Sequence, residues 1–325
     1  MPQSRILEFA DPDAFQAAFR AVDIHLLVTG KGTFRADMVQ VDLGRLLMQR
    51  SADSLSRIMR VTIGPPRAPI TFLGGMNERS VHLGSVELHA GEIVVWGRNT
   101  VGHLRTSGAS RNASLSLTHE DLAAAGRAIA GREMTAPPDT SIARPAPRLM
   151  ARLIDLHETT TNLARTAPDI LATPAVARTL EQELTHAMVS CLSGHLPTKT
   201  ERHSLQHKRV IARFEDFLAA RRYEPVHLPE MCAAIGASER TLRSCCNEHF
   251  GMGPIRYLWL RRMHLARRAL LRADPATATV TSTATAYGFW ELGRFSVEYR
   301  ALFGESPSAS LRGLKDRATG RRALH

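Results

Sequence analysis

The sequence predicts an α+β multidomain protein. It has an N-terminal β-barrel or sandwich with flanking helices and a C-terminal all-α domain with two helix-turn-helix motifs. Between residues 24 and 118, short apolar segments alternate with glycine-containing turns, which is typical of a barrel or sandwich. Residues 227–251 and 279–304 each show a helical pattern, a turn and a second helical pattern. The chain has 325 residues, which is enough for two domains that each bury a core.

The N-terminal domain is predicted to contain a short amphipathic helix at residues 11–20, a series of strands, and a closing helix at 119–131. The predicted strands cover residues 24–28, 32–41, 46–49, 55–62, 70–73, 86–88, 93–96 and 113–117. Their near-regular spacing favours a barrel or jelly roll over a sheet that alternates with helices.

The next region, residues 135–197, is predicted to be a linker followed by two helices. Residues 135–147 contain four prolines, too many for a helix or a strand, so they form the linker. Helices are predicted at 149–164 and 174–193. In the second helix, Leu180, Leu184 and Met188 lie on one apolar stripe. Two interpretations remain open: the stripe packs on its own domain, or it forms a homodimer interface.

The first C-terminal motif has the local signals of two helices joined by a tight turn. Gly236 can end the first helix in the left-handed conformation, and Ser238 can cap the second. The second helix would expose Glu239, Arg240 and Arg243 and bury an apolar face. A similar motif follows about fifty residues later, after a basic helix predicted at 254–273. In such motifs the second helix enters the DNA major groove.

Positive charge is concentrated in the C-terminal part of the chain. Residues 198–325 contain 22 Lys and Arg against 12 Asp and Glu, whereas the first 197 residues contain 20 against 19. This segregation predicts binding to phosphates. No apolar run is long enough for a bilayer, no signal-peptide pattern occurs, and the four cysteines lack metal-ligand or disulfide spacing. We therefore expect a cytoplasmic protein that does not associate with a membrane.

Three groups of residues carry a resemblance to a known family: Ile235–Leu242, the helix around Pro254 and Tyr257, and residues 286–307 with their Ala-Tyr-Gly-Phe sequence. They resemble the AraC/XylS transcription regulators over about the last 120 residues. The resemblance implies a sequence-specific regulator that binds double-stranded DNA and works with RNA polymerase. Residues 83–95 resemble the strand–turn–strand of a cupin jelly roll, which implies an N-terminal domain that senses a small molecule.

By this resemblance, the DNA-binding positions lie on the second helix of each motif. The candidates are Ser238, Glu239, Arg240, Thr241, Arg243 and Ser244 in the first motif, and Arg294 and Ser296 in the second. Arginine can make a bidentate contact to guanine, the commonest specific contact in the major groove. In the second motif, Val297 replaces the polar residue of many family members, and Gly293 weakens the helix. We therefore expect fewer hydrogen bonds from the second motif.

The N-terminal domain offers Arg57, Trp96 and His103 as candidate effector-binding residues. Arg57 shares a strand face with apolar residues, so its charge needs an anion. That anion is either an internal carboxylate (Asp42, Glu87 or Glu92) or a ligand such as a carboxylate, a phosphate or a nucleotide second messenger. The domain has no His-x-His pair of the kind that metal-dependent cupins use. We therefore expect no metal, no cofactor and no catalytic residues.

The predicted domains are an effector-sensing domain at 1–134, a linker and helical dimerisation segment at 135–197, and a DNA-binding domain at 198–325. Two alternatives remain open beside an effector-controlled regulator. One is a DNA-binding regulator that needs no effector, and the other is a metal-dependent cupin enzyme fused to a DNA-binding domain.

Overall fold

The computed structural model describes residues 2–75, 80–194, 202–221 and 226–319. The chain forms two compact units. The first comprises Met1–Leu26 and Arg35–Thr200, and the second Leu27–Phe34 and Glu201–His325. The N-terminal unit is built on β-sheets and the C-terminal unit is helical, which confirms the predicted fold class.

Within the described residues, the strands form two separate sheets. They are β1 (Gln3–Phe9), β2 (Asp23–Val28), β3 (Ala36–Asp42), β4 (Leu47–Asp53), β5 (Arg57–Thr62), β6 (Arg67–Leu73), β7 (Val81–Leu83), β8 (Val86–Leu88), β9 (Ile93–Val95), β10 (Val101–Thr106), β11 (Ser110–Thr118) and β12 (Ser141–Ala143). One sheet has the order β1-β3-β4-β11-β6-β9-β12 and the other β2-β5-β10-β7-β8. The domain is therefore an open two-sheet structure rather than a closed barrel.

Several strands were absent from the sequence-based prediction. β1, β7 and β10 lie in segments for which no strand was predicted. The prediction of residues 135–147 as a linker without a strand is wrong at Ser141–Ala143, which pairs with β9 in an antiparallel register. Prolines flank these three residues, but the three residues themselves keep their backbone N–H groups for hydrogen bonds. Because β12 is an edge strand, it tolerates prolines beside it.

The N-terminal helices are α1 (Pro12–Ala17), α2 (His119–Ala130), α3 (Pro147–Thr166), α4 (Pro168–Ala172) and α5 (Pro174–Ser193). α3 and α5 contribute to the same hydrophobic core as the seven-stranded sheet. Leu184 and Met188 are buried in this core, and Leu180 packs against it partly buried. The interpretation of this stripe as a homodimer interface is therefore wrong, because the side chains cover the protein's own sheet.

The C-terminal helices are α6 (Arg202–Ala220), α7 (Leu228–Ile235), α8 (Glu239–Phe250), α9 (Pro254–Arg272), α10 (Val280–Ala286), α11 (Leu292–Phe303) and α12 (Pro307–Thr319). α6 begins at Arg202, and residues 197–201 lie outside the described part. α12 extends to Thr319, and Leu311 in it is buried.

An aromatic cluster forms the core beneath the first motif. The Phe250 and Tyr257 rings stack at 4.1 Å, and Phe214 packs against both. Cys245 and Cys246 complete this core as fully buried side chains. Burial raises the pKa of both thiols, that of Cys245 to about 11, so both are small apolar residues rather than reactive thiolates.

Candidate nucleic-acid interface and N-terminal cavity

The turn between α7 and α8 has the predicted capping geometry. Gly236 ends α7 in the left-handed conformation with φ of 66°, which an L side chain would strain. The Ser238 hydroxyl accepts a hydrogen bond from the Thr241 amide at 3.1 Å and so caps α8. These two local signals set the direction in which α8 leaves the turn.

The exposed face of α8 is lined by charged and polar side chains. Arg240 is exposed and makes no ion pair within the described part of the chain. Arg243 donates from Nε and Nη2 to Glu239 Oε1 at 2.8 and 2.5 Å, and both side chains are about half exposed. Ser244 is exposed as well and donates to Glu248. The helix therefore brings Glu239, Arg240, Arg243 and Ser244 together on one solvent-facing surface, with Ser238 and the half-buried Thr241 at its start.

The second motif has the same plan with different side chains on its surface. Thr279 and Ser282 form a reciprocal capping box at the start of α10. In α11, Arg294 donates to Glu298 Oε1 at 3.1 Å, and Trp259 Nε1 donates to the other oxygen of Glu298 at 3.0 Å. Arg294 is largely exposed, whereas Ser296 is only partly exposed.

α9 connects the two motifs. Two of the arginines of this basic helix, Arg261 and Arg267, are not solvated. Arg261 pairs with the buried Glu215 at 3.0 Å, and the buried Arg267 pairs with Glu305 at 3.3 Å. Each of these two arginines pairs with a carboxylate of the protein instead of facing water. Helical periodicity alone could not indicate these pairs.

A cavity of about 60 Å³ lies between the two N-terminal sheets. Its wall on the five-stranded sheet is mainly apolar and includes Ile24, Met59, Val61 and Leu104, with Trp96 beside them. Its wall on the seven-stranded sheet is mostly polar. The polar residues are Gln49, Ser51, Thr71, Asn112, Ser114 and Ser116.

This polar wall is unusual for the inside of a sandwich, where inward-facing residues normally form an apolar core. Gln49, Ser114 and Thr71 lie opposite one another on three adjacent strands. In the sequence, the polar residues at alternate positions of β4 and β11 are the signal for this wall.

Arg57 lines the cavity and is only 1% exposed. Its Nε and Nη2 both contact Asp53 Oδ2, at 2.8 and 2.7 Å, and Nη2 donates to Ser110 Oγ at 2.9 Å. An internal carboxylate thus balances the charge, but the predicted partners Asp42, Glu87 and Glu92 are not the ones used. Nη1, on the other side of the guanidinium, has no hydrogen-bond partner among the described residues.

Trp96 and His103 occupy different places relative to this cavity. Trp96 is buried, lines the cavity and donates to Thr71 Oγ1 at 2.9 Å. A Cβ on Gly102 would lie 2.6 Å from the Trp96 ring, so glycine is needed there for the indole to fit. His103 is buried on β10, but it is the neighbouring Leu104 that lines the cavity. Because neighbours in a strand face opposite sides, His103 faces away from this cavity, and its part in effector binding stays a prediction.

Within the described ranges, no three His, Cys, Asp or Glu side chains are grouped so that they could hold a metal ion. Over the same ranges, no helix combines the length and apolar character that a membrane span requires.

Comparison with known proteins locates the similarity in the C-terminal unit. Residues 231–313 match a family described as a helix-turn-helix domain. A probable thc operon regulatory protein of Rhodococcus erythropolis is 41% identical over 97 residues, which are 30% of this chain and 29% of the relative. The XylDLEGF operon transcriptional activator 3 of Pseudomonas putida is 32% identical over 108 residues, or 33% of this chain and 31% of the relative.

Among solved structures, a probable AraC family transcriptional regulator from Rhodopseudomonas palustris is 30% identical. The match covers 32% of this chain and 95% of that one, with a TM-score of 0.30. The chain matches less than one third of the length of the two operon regulators, and the helix-turn-helix match at residues 231–313 includes α8 to α11. The similarity therefore identifies residues 231–313 as a helix-turn-helix domain of the AraC/XylS type.

Proposed function

We propose that the chain is a sequence-specific transcription regulator whose first reader helix, α8, binds guanine bases and whose N-terminal cavity binds a small-molecule effector. The observation that carries the DNA-binding part is the exposed surface of α8, where Arg240 and Arg243 stand opposite a fully buried face. In this proposal, residues 1–134 sense the effector and residues 198–325 bind DNA in the cytoplasm. Homodimerisation and contact with RNA polymerase also belong to it, with a dimer surface other than the stripe of α5.

The energies favour a contact between Arg243 and a base over its internal pair. An ion pair between exposed side chains, such as Arg243 with Glu239, contributes about 0–1 kcal/mol. A bidentate contact between arginine and guanine discriminates by about 1–3 kcal/mol. Arg243 therefore gains by exchanging Glu239 for a base, and Arg240 has no pair to give up within the described residues.

The experiment compares Arg240→Ala and Arg243→Ala with wild type on a site that the full-length protein selects from random double-stranded DNA. Each substitution should weaken binding to this site by about 1–3 kcal/mol and leave binding to scrambled DNA nearly unchanged. Arg256→Ala is the matched control, because Arg256 is an exposed arginine of α9 that packs over the Trp259 ring. Equal losses on both DNAs would show that α8 contacts only phosphates.

The lining of the cavity favours an uncharged effector that carries an acceptor oxygen over an anionic effector. Asp53 already balances the charge of Arg57, so Nη1 needs a hydrogen-bond acceptor rather than a second negative charge. A site for one water needs about 15 Å³, so a cavity of about 60 Å³ suits a ligand of a few heavy atoms.

A thermal-shift series tests this effector class with small amides and ketones and with the carboxylates of matching size. The uncharged compounds should raise the melting temperature of wild type. They should have no effect on Ser114→Leu, which fills the cavity without touching Arg57. Ser190→Leu, on α5 and away from the cavity lining, should respond like wild type. Stabilisation by the carboxylates alone would favour an anionic effector, and no stabilisation by either series would favour a regulator without an effector.

A further inference from the structure

The two reader helices can be aligned position by position, because both have the same length and end at a left-handed glycine. α8 and α11 each contain 12 residues, followed by Gly251 and Gly304. In this alignment Gly293 takes the place of Arg240, Ser296 that of Arg243, and Val297 that of Ser244. The positions that carry two arginines on α8 therefore carry no cation on α11.

Two large apolar side chains are instead exposed at the second reader helix. Val297 is 71% exposed, and Trp290, which directly precedes the N-cap residue Glu291, is 74% exposed. The opposite face of α11 is packed through the buried Phe295 and Tyr299. A single exposed apolar residue needs no explanation, but Val297 stands at the position where α8 carries its polar reader Ser244.

Arg294 of α11 forms an exposed ion pair of the same kind as Arg243 with Glu239 on α8, so it too is available to DNA. Arg294 donates to Glu298, and Glu298 also accepts a hydrogen bond from the indole of Trp259 on α9. Gly293 has no side chain, and nothing lies within 4 Å of where its Cβ would be, so the backbone there can approach a partner closely. Arg294 and Arg300 are exposed on the same helix and provide the charge that a phosphate backbone requires.

The occupant that fits this surface is the major groove at an A·T pair. The C5-methyl of thymine is the one apolar group that a base edge presents in this groove. We propose that Val297 packs against a thymine methyl, that Trp290 extends the same apolar contact, and that recognition is divided between guanine at α8 and thymine at α11. This inference rests on the proposed function, because it requires that both helices enter DNA.

The test removes the methyl group from the DNA instead of changing the base pair. Each thymine of the site selected by the full-length protein is replaced singly by deoxyuridine, and the dissociation constant is measured. In the half of the site that is insensitive to Arg240→Ala, one or two replacements should weaken wild-type binding about fourfold, the value of one buried methyl group. Val297→Ala should bind the thymine and deoxyuridine sites equally.

Ser244→Ala is the matched control at the aligned position of α8, and it should keep the full response to deoxyuridine. Val297 and Trp290 are exposed, so their substitution leaves the core of the helical unit intact. If no replacement in that half weakens binding, or if Val297→Ala responds as strongly as wild type, the thymine contact is wrong while DNA binding stands. Failure to select any site would instead overturn the proposed function.

Discussion

Arg57 illustrates both the reach and the limit of sequence reasoning at the scale of single residues. Strand alternation predicted its place on the inward face of β5. Because a buried charge must be balanced, that place in turn predicted an anion beside it. Its partner, Asp53, was missed because the two residues approach only where the chain passes from one sheet to the other. Their spacing of four residues across a turn was the available signal.

Removing one member of this buried pair should be costly. Arg57→Met leaves the Asp53 carboxylate buried without its cation and should lower the free energy of unfolding by about 3–5 kcal/mol. The double variant with Asp53→Asn should recover most of this loss. Arg165→Met, which breaks the exposed pair with Asp37, should cost less than about 1 kcal/mol. Urea unfolding measures all three, and equal losses for the two single variants would contradict the buried pair.

The burial of His157 should make the stability of the N-terminal domain depend on pH. It is buried against Phe72, and burial lowers its pKa from 6.5 to about 4. Between these values the unfolded chain binds a proton that the folded chain does not, so stability falls as the pH falls from 6.5 to 4. The loss from this residue should be about 3 kcal/mol and should be absent in His157→Gln. An unfolding free energy that follows pH equally in both proteins would contradict the assignment.

At the scale of elements, α5 shows that an apolar stripe on a helix does not reveal which surface packs against it. Periodicity established which face of the helix is apolar, but not that the seven-stranded sheet covers it. Helix caps such as Gly236 and Ser238 could be predicted because they depend on a few neighbouring residues. The edge strands β1 and β12 could not, because their pairing depends on distant parts of the chain.

The role of the α5 stripe can be tested with one charge. Leu184→Glu places a carboxylate in the core and should unfold the N-terminal domain rather than produce folded monomers. Gln182→Glu adds the same charge at an exposed position of the same helix and should leave the domain folded. Near-ultraviolet circular dichroism distinguishes the outcomes, and a folded Leu184→Glu protein would contradict the assigned core.

The two glycines of the reader helices should respond in opposite directions to alanine. Gly293 lies in the first turn of α11 with open space around it, so Gly293→Ala should stabilise the helical unit by up to about 1 kcal/mol. Gly251 ends α8 with φ of 68°, so Gly251→Ala should destabilise it by about 1 kcal/mol. Thermal unfolding of the two variants shows whether each substitution raises or lowers the stability. A loss of stability in Gly293→Ala would mean that this position is not regular helix.

At the scale of the whole molecule, charge separates the two parts of the chain. Almost all of the net charge of +11 lies in residues 198–325, which contain both motifs and α9 between them. α9 has 19 residues and is therefore about 28 Å long, shorter than one turn of B-DNA at about 34–36 Å. Charge, two capped motifs and a connecting helix together are consistent with two contacts on one face of the duplex.

Selection of bound sequences from random double-stranded DNA by the full-length protein tests this central claim most directly. The account predicts an enriched site with two conserved segments about one helical turn apart, one containing guanines read by α8 and the other containing thymines read by α11. A pool that shows no enrichment, or one with a single conserved segment, would contradict it.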